Sequence, residues 1–283
     1  MYLYQNMYKA KSINIKGKLF HFDAPKIMGI INLSADSFYE NDAETSQKKL
    51  IAKITNFIEN GAEMIDIGAV STRPKAKLLS LAEERNRLLP VLKIVRKKFP
   101  EIIISIDTVR SKIAEEALKE GADIINDISG AYFDKKILNV VSQYNCPYIL
   151  THNLEKSINN HKLKTPNTIK EVLRYFSQRI QELKNIGIYD IIIDPGFGFS
   201  KELDQNFDII KYYEMLHILE LPILTGISRK SMIYKTLNST PENSLNGTSI
   251  LHSFLISQNC SIFRVHDVKE MNEVKMLWEA SFN

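Results

Sequence analysis

Short apolar runs recur eight times along the chain, and most of them are rich in isoleucine and valine. They cover residues 26–32, 63–68, 102–107, 123–128, 147–152, 190–194, 222–226 and 261–266. Near-continuous apolar runs of this length are typical of strands that are buried on both faces, as in a parallel sheet. The pattern therefore predicts eight buried strands.

Amphipathic stretches with helical spacing lie between these runs. After the first run, Leu50, Ile54, Phe57 and Ile58 fall at positions i, i+4, i+7 and i+8, and Gly61 provides a helix stop. Similar patterns follow in SLAEERNRLLPVLKIVRKKF, SKIAEEALKEG, IKEVLRYFSQRIQELKNIG and VKEMNEVKMLWEASF. Strand–helix alternation repeated eight times predicts an α/β fold, a (β/α)₈ TIM barrel.

The barrel is predicted to occupy residues 26–283 as a single domain, because no linker or shift in composition interrupts the alternation. Residues 1–25 are predicted to form a short N-terminal extension, a small β element that closes the base of the barrel. An open doubly wound sheet is the alternative architecture. No G-x-G-x-x-G segment follows the first strand, as it would in the dinucleotide-binding version of that sheet.

Composition narrows the class of protein only slightly. Hydrophobic residues make up 44% and charged residues 25% of the 283 residues, as in ordinary globular proteins, and the net charge is +4. Because the basic residues are spread along the chain, this charge does not predict a nucleic-acid partner, although it suits an anionic substrate. Cys146 and Cys260 lie in apolar stretches without metal spacing, which predicts buried thiols in a reducing compartment. With neither a signal-peptide core nor an apolar run of about 18 residues, we expect a cytoplasmic protein without a membrane partner.

Polar side chains stand at the ends of nearly all the predicted strands. They are Asn32, Asp66, Asp107, Asn126, Asp127, His152, Asp194, Ser228, Arg229, Lys230, Arg264 and His266. The active sites of (β/α)₈ barrels lie at the carboxyl ends of the strands, where these residues should meet. A single Asp or Asn after a strand can equally be a helix N-cap. Because seven of the eight predicted strands end in such polar or charged residues, the pattern predicts a functional site there.

The chemistry of this polar ring falls into two groups. Asp107, Asn126 and Asp194 supply acceptors and an amide, which suit the donor–acceptor edge of a flat heterocycle. Positive charge, suited to a diphosphate and a carboxylate, comes from Arg73, Lys230, Arg264 and His266. A protein-built zinc site is the rival interpretation, but neither H-x-H nor H-E-x-x-H occurs in the sequence.

Seven segments resemble the signature segments of one enzyme family, in the same order. They are MGIINLSADSF, DIGAVSTRP, SIDT, NDISG, DPGFGFSK, GISRKSMI and RVHDV. Together they are similar to dihydropteroate synthases over about residues 26–270. The resemblance implies a transferase of folate biosynthesis. It would condense 6-hydroxymethyl-7,8-dihydropterin diphosphate with p-aminobenzoate to give 7,8-dihydropteroate and diphosphate, with Mg²⁺ as cofactor. It also implies a homodimer and inhibition by sulfonamides.

The resemblance assigns roles to individual residues. It implies that the pterin is bound by Asp107, Asn126, Asp194 and Lys230, with Asp107 and Lys230 also acting in catalysis. It implies that the diphosphate is bound by Asn32, Arg73, Arg264 and His266, with Asn32 also beside the metal. The p-aminobenzoate pocket is implied to comprise Phe38, Thr72, Pro74, Phe199 and Ser231. Ser231 is expected at the start of the helix after the seventh strand, where backbone N–H groups favour a carboxylate.

Several positions depart from the family's usual sequence. Ser34-Ala35 replaces Thr-Pro, and Glu40-Asn41-Asp42 replaces a glycine-rich stretch. Non-glycine residues also occupy the usual glycine positions Ala69, Lys75 and Ser200, and Thr151-His152-Asn153 replaces Met-His-Met. These departures predict altered loops on the p-aminobenzoate side, with pterin binding preserved.

Three other functions remain open at this point. A methyltetrahydrofolate-binding methyltransferase would share the pterin pocket, but it would not need the SRKS segment or the pair Arg264 and His266. A pterin-binding paralogue without turnover would keep every segment. A Schiff-base aldolase would use Lys230 as its nucleophile, although Arg229 beside it favours a fixed charge. Release of diphosphate, measured with and without p-aminobenzoate, separates these functions.

Overall fold

The structure is a computed structural model that describes residues 11–33, 43–69, 79–153 and 167–282. Its strands are β1 (Ser12–Ile15), β2 (Lys18–His21), β3 (Lys26–Asn32), β4 (Met64–Gly68), β5 (Ile103–Asp107), β6 (Ile124–Asp127), β7 (Tyr148–Thr151), β8 (Ile191–Asp194), β9 (Leu224–Thr225) and β10 (Ile262–Val265). Its helices are α1 (Ala43–Glu59), α2 (Leu81–Lys98), α3 (Ser111–Lys119), α4 (Ile137–Tyr144), α5 (Thr168–Asn185), α6 (Leu203–Lys211), α7 (Ser231–Thr236), α8 (Leu245–Ser257) and α9 (Val268–Phe282), and a 3₁₀ helix spans Tyr213–Leu219. No helix in these described ranges is long and apolar enough to cross a membrane.

Strands β3 to β10 form one parallel sheet that closes on itself. Their order is β8-β7-β6-β5-β4-β3-β10-β9, and a parallel bridge between Ile193 and Ile223 joins β8 to the segment entering β9. Following the paired residues once around the ring from Asn32 leads to Ala24, eight residues earlier. A shift of this size is the shear of a (β/α)₈ barrel. The predicted fold is therefore confirmed.

The interior of the barrel begins with an apolar layer at the amino-terminal ends of the strands. One buried cluster joins Met28, Met64, Ile124, Ile149, Ile192, Leu224 and Ile262. The antiparallel hairpin of β1 and β2 lies against it, because Ile13 and Phe22 belong to the same cluster. This end of the barrel is filled with side chains, so a ligand has room only at the opposite end.

The outer faces of the strands pack against the helices in a second, larger cluster. Leu50, Ile54 and Phe57 of α1 are buried in it, as their spacing predicts, and each stabilises the fold by about 1.5–3 kcal/mol. A Cβ atom on Gly29 of β3 would lie 2.4 Å from the Phe57 ring. The absence of a side chain at Gly29 therefore lets α1 pack closely on the strand that ends at Asn32.

Candidate active site

The inner face of the barrel changes from apolar to polar towards the carboxyl ends of the strands. Side chains two residues apart on a strand share a face. Two residues beyond the apolar layer, Met64 is followed by Asp66, Ile124 by Asn126, Ile192 by Asp194 and Ile262 by Arg264. Asn32 and Asp107 lie on the same inner faces of β3 and β5, and pairing aligns both with Gly68. The alternation within each strand thus brings the predicted polar residues to one end of the barrel.

Arg264 joins two carboxylates at the centre of this polar layer. Its Nε donates to Asp66 Oδ2 at 2.7 Å, and its Nη2 lies 2.6 Å from that oxygen and 3.0 Å from Asp107 Oδ2. Asn126 Nδ2 donates to the same Asp66 oxygen at 3.0 Å. The guanidinium of Arg264 is thus bound by two carboxylates of the protein itself.

The ionisation of Asp107 is set by its surroundings. Burial raises the pKa of this carboxyl, the negative charge of Asp66 raises it further, and Arg264 opposes both effects, leaving a pKa of about 7. A carboxyl with this pKa changes its charge near neutrality. Such perturbed groups are concentrated in functional sites.

Lys230 and Asp194 lie close enough at the polar end of the barrel to affect each other's ionisation. Burial lowers the pKa of Lys230 to about 8, and the charge of Asp194 opposes that shift. Burial likewise raises the pKa of Asp194, with Lys230 opposing. The Lys230 ammonium donates to the carbonyl of Phe197 and lies 4.4 Å from the centre of the Phe199 ring. This cation–π contact places an aromatic wall beside the polar floor.

The loop after β8 is held in one conformation by backbone contacts. Gly196 has φ of +70°, and a Cβ atom there would lie 2.2 Å from the carbonyl oxygen of His152. Lys201 Nζ donates to the carbonyl oxygens of His152, Gly196 and Phe199, at 3.2, 2.9 and 3.1 Å. These contacts determine where Phe199 stands relative to Lys230.

His266 lies at the mouth of the barrel, where its side chain is exposed and contacts Ser228. Its Nδ1 lies 3.1 Å from Ser228 Oγ, and loss of bulk water at the barrel mouth, together with the charge of Arg264, lowers its pKa to about 4. The expectation that His266 helps to bind the diphosphate stays a prediction. Neighbouring cations make a second charge at this position costly.

Three other strand-end residues have their side chains engaged away from the site. Asp127 accepts hydrogen bonds from the Ser129 and Ala131 backbone and from the Tyr148 hydroxyl, so it organises the turn after β6. His152 is buried, and its ring contacts the edges of Tyr175 and Phe176. Arg229 is bound by both carboxylate oxygens of Asp267, at 2.8 and 2.7 Å.

The p-aminobenzoate residues implied by the resemblance are only partly described. Phe199 lies beside Lys230, and Ser231 is the first residue of α7, as expected. Phe38, Thr72, Arg73 and Pro74 lie outside the described residues, as do Ala35 and Lys75. Two residues acquire a part in the site that the sequence did not assign. Asp66 stood among the strand ends without a role, and Lys201, within DPGFGFSK, organises the loop after β8.

The donor set suits a metal ion that is held mainly by a ligand. Within the described ranges, no three His, Cys, Asp or Glu side chains are grouped closely enough to bind a metal. Asn32 offers one half-buried amide at the carboxyl end of β3. Mg²⁺ prefers oxygen donors and keeps several bonds to water and substrate phosphates, so a single protein amide beside a diphosphate fits it.

Comparisons with known proteins agree with this geometry. The model of the family described as "Pterin binding enzyme" matches residues 28–266. Dihydropteroate synthase of Streptococcus pyogenes is 34% identical over 252 residues, which cover 88% of this chain and 92% of that protein. The folic acid synthesis protein fol1 of Pneumocystis carinii is 37% identical over 97% of this chain, which spans 38% of that protein's length.

A solved structure extends the likeness to three dimensions. Dihydropteroate synthase of Xanthomonas albilineans with 4-aminobenzoic acid superimposes with a TM-score of 0.89, at 28% identity, over 97% of this chain and 99% of that one. The match in fold covers nearly the whole of both chains. The chain belongs to the pterin-binding enzyme family and, within it, to the dihydropteroate synthases, which are transferases of folate synthesis.

Proposed function

We propose that this chain condenses 6-hydroxymethyl-7,8-dihydropterin diphosphate with p-aminobenzoate, giving 7,8-dihydropteroate and diphosphate. The observation that carries the proposal is the juxtaposition of buried Asp107, Asn126 and Asp194 with the Lys230 ammonium against Phe199. Release of diphosphate by the purified protein, measured with and without p-aminobenzoate, tests it. Release that depends on p-aminobenzoate supports the proposal, and its absence would place the chain among pterin-binding proteins without turnover.

In this proposal Asp107, Asn126, Asp194 and Lys230 bind the pterin. Asn126 Oδ1 is buried without a hydrogen-bond partner among the described residues. A buried acceptor left in this state costs about 1–3 kcal/mol, which a ring N–H of the ligand would recover. Asp194 offers a buried carboxylate near Lys230, so the pair can contact both donors and acceptors of one heterocycle.

The mechanism follows from where charge develops. Departure of diphosphate leaves positive charge on the pterin methylene, which the ionised Asp107 stabilises through space at low dielectric. The amine of p-aminobenzoate then attacks the methylene, and no protein nucleophile is required. Lys230, which lies beside Phe199, binds the pterin and contributes a fixed positive charge. Ser231 and the backbone at the start of α7 are proposed to bind the p-aminobenzoate carboxylate, within a pocket that also includes Phe38, Thr72, Pro74 and Phe199.

The diphosphate is proposed to bind at Asn32, Arg73, Arg264 and His266. Asn32 would hold Mg²⁺ beside the diphosphate, and the ion would supply Lewis-acid neutralisation of the leaving group. Arg264 contributes positive charge from inside the barrel, where two carboxylates hold its guanidinium. His266, at the mouth of the barrel, donates a hydrogen bond to the diphosphate from its imidazole ring.

We predict that His266 takes up a proton when the diphosphate binds. Its pKa of about 4 in the free protein must rise next to a multiply charged anion, so pterin diphosphate should bind more tightly as the pH falls towards 6. Calorimetry in buffers of different ionisation enthalpy measures the uptake. His266→Gln should reduce the uptake and weaken binding of the diphosphate about tenfold. An equal loss of affinity for the unphosphorylated pterin would contradict this assignment.

We also predict that two of the departures from the family act together on the p-aminobenzoate side. Ser200, at φ of +47°, donates to Asn153 Oδ1 at 3.2 Å, and Asn153 Nδ2 donates to the Ile128 carbonyl at 3.1 Å. Ser200 follows Phe199 directly, so this link connects the loop bearing Phe199 to the neighbouring strand ends. Combining Asn153→Met with Ser200→Gly should change the KM for p-aminobenzoate, or sulfonamide inhibition, several-fold.

The two single variants provide the control for this pair. Because the residues are hydrogen-bonded, their effects should not add. Affinity for the pterin should stay unchanged in all three proteins. Additive effects, or a change confined to pterin affinity, would show that the contact does not shape the p-aminobenzoate pocket.

A homodimer, a cytoplasmic location and a division at residue 25 are also part of this proposal. Ile250 and Phe254 of α8 and Met276 and Leu277 of α9 are exposed on two helices that pack against each other. Exposed apolar patches of this kind are typical of interfaces.

Cys146 and Cys260 are buried free thiols, which suits a reducing compartment. The hairpin within residues 1–25 lies against the barrel's amino-terminal end.

A further inference from the structure

Asp66 contacts two of the polar side chains at the carboxyl ends of the strands. It lies on β4, two residues before Gly68, and it is fully buried. One of its oxygens, Oδ2, accepts from Arg264 Nε at 2.7 Å and from Asn126 Nδ2 at 3.0 Å, with Arg264 Nη2 at 2.6 Å. A single carboxylate oxygen therefore contacts two residues that belong to different subsites of the proposed reaction.

These contacts restrict both partners. A carboxylate only accepts hydrogen bonds, so the Asn126 amide must turn its NH₂ group towards Asp66. That orientation leaves Asn126 Oδ1 as an acceptor for another donor, and the described residues supply none. The Arg264 guanidinium is planar, and its bonds to Asp66 and Asp107 determine its plane. Without Asp66 the amide could flip, and the guanidinium would have only one carboxylate.

We propose that Asp66 is a positioning residue of the condensation: it orients the Asn126 amide for the pterin ring and holds Arg264 beneath the diphosphate. The proposal rests on the proposed function. Asp66 contacts the reacting groups only through these two residues, and its loss affects pterin and diphosphate binding together. No other described residue contacts both Asn126 and Arg264 through hydrogen bonds.

Asp66 also acts on the charge of Asp107, which provides a distinctive measurement. The charged groups that act on Asp107 electrostatically are Asp66 from β4, Arg264 from β10, Asp127 from β6, Glu84 from α2 and Lys230 next to α7. Removing the negative charge of Asp66 lowers the pKa of Asp107. Asp107 then becomes the only one of the two carboxylates that still balances the charge of Arg264. The pH at which Asp107 ionises therefore reports on Asp66, whereas a purely structural role of Asp66 would not move it.

The test compares Asp66→Asn with Ser105→Ala in the full-length protein. Ser105 pairs with Asp66 across β4 and β5, faces the same interior and is equally buried, so its variant controls for disturbance at that depth. Asp66→Asn keeps the volume and removes the charge. We expect kcat/KM to fall about 10- to 100-fold, and the acidic limb of its pH profile to move down by about one pH unit. The acidic limb of the kcat/KM profile of Ser105→Ala should lie at the same pH as that of the unmodified protein.

The outcomes separate this inference from the proposed function. An Asp66→Asn variant with the same acidic limb and the same affinity for pterin diphosphate as Ser105→Ala would overturn the role of Asp66. Lack of turnover by the unmodified protein would overturn the proposed function, and calorimetric binding of pterin diphosphate across pH would still test Asp66. Should Asp66→Asn not fold, Asp66→Ser removes the same charge and leaves room for water, and the same shift is expected.

Discussion

Asp194→Ala and Asn126→Ala are each expected to lower affinity for the pterin substrate about 100-fold or more. Each side chain is buried at the polar end of the barrel and offers at least two bonds to a heterocycle, and a bond to a charged or buried group is worth about 1.5–3 kcal/mol. Water replaces such bonds poorly once the heterocycle has displaced it from these buried groups. Titration calorimetry with pterin diphosphate measures the loss.

The same substitutions should leave the fold intact. Burial raises the pKa of Asp194, so the ionised side chain opposes folding at neutral pH, and Asp194→Asn should melt no lower than the unmodified protein. Asp204→Ala, at an exposed carboxylate after the same strand, is the matched control and should bind pterin normally. Unchanged affinity in both site variants, at unchanged melting temperature, would remove Asp194 and Asn126 from the pterin pocket.

Lys230→Arg is expected to lower kcat/KM at least about 100-fold, as loss of a preorganised charge in an active site does. The ammonium is a point charge that fits between the Phe197 carbonyl and the Phe199 ring. A planar guanidinium fork is longer and directs its donors differently. Lys235→Arg, the same change at an exposed position of α7, should have no effect. Steady-state kinetics with both substrates distinguishes the two variants.

The pKa of Lys230 also predicts the pH dependence of the enzyme. An ammonium with a pKa of about 8 loses its charge as the pH rises through that value, whereas Asp107 gains its charge as the pH rises through about 7. The profile of kcat/KM should therefore be a narrow bell between these limits. Borohydride treatment should trap no adduct on Lys230. A trapped adduct, or a flat profile between pH 6 and 9, would contradict the role of a fixed cation.

Much of the fold could be predicted from the sequence because the barrel strands are buried on both faces. Each of the eight apolar runs contains a strand of the barrel, although the seventh is reduced to Leu224–Thr225. Helices with an apolar stripe, such as α1 and α5, were equally predictable. Helix α8 was not, because LNGTSILHSFLIS is apolar around most of its circumference and shows no clear period.

The sequence by itself determined which residues reach the polar end of the barrel, since that depends only on alternation along each strand and on where the strand ends. What those residues do to one another was decided by the tertiary structure. Arg264 and Asp66 are 198 positions apart, and no local pattern shows that they share a hydrogen bond. The lowered pKa of His266 and the pKa of Asp107 near 7 likewise depend on desolvation and on charges on other strands. Such effects depend on distances in space, which the order of residues along a strand does not contain.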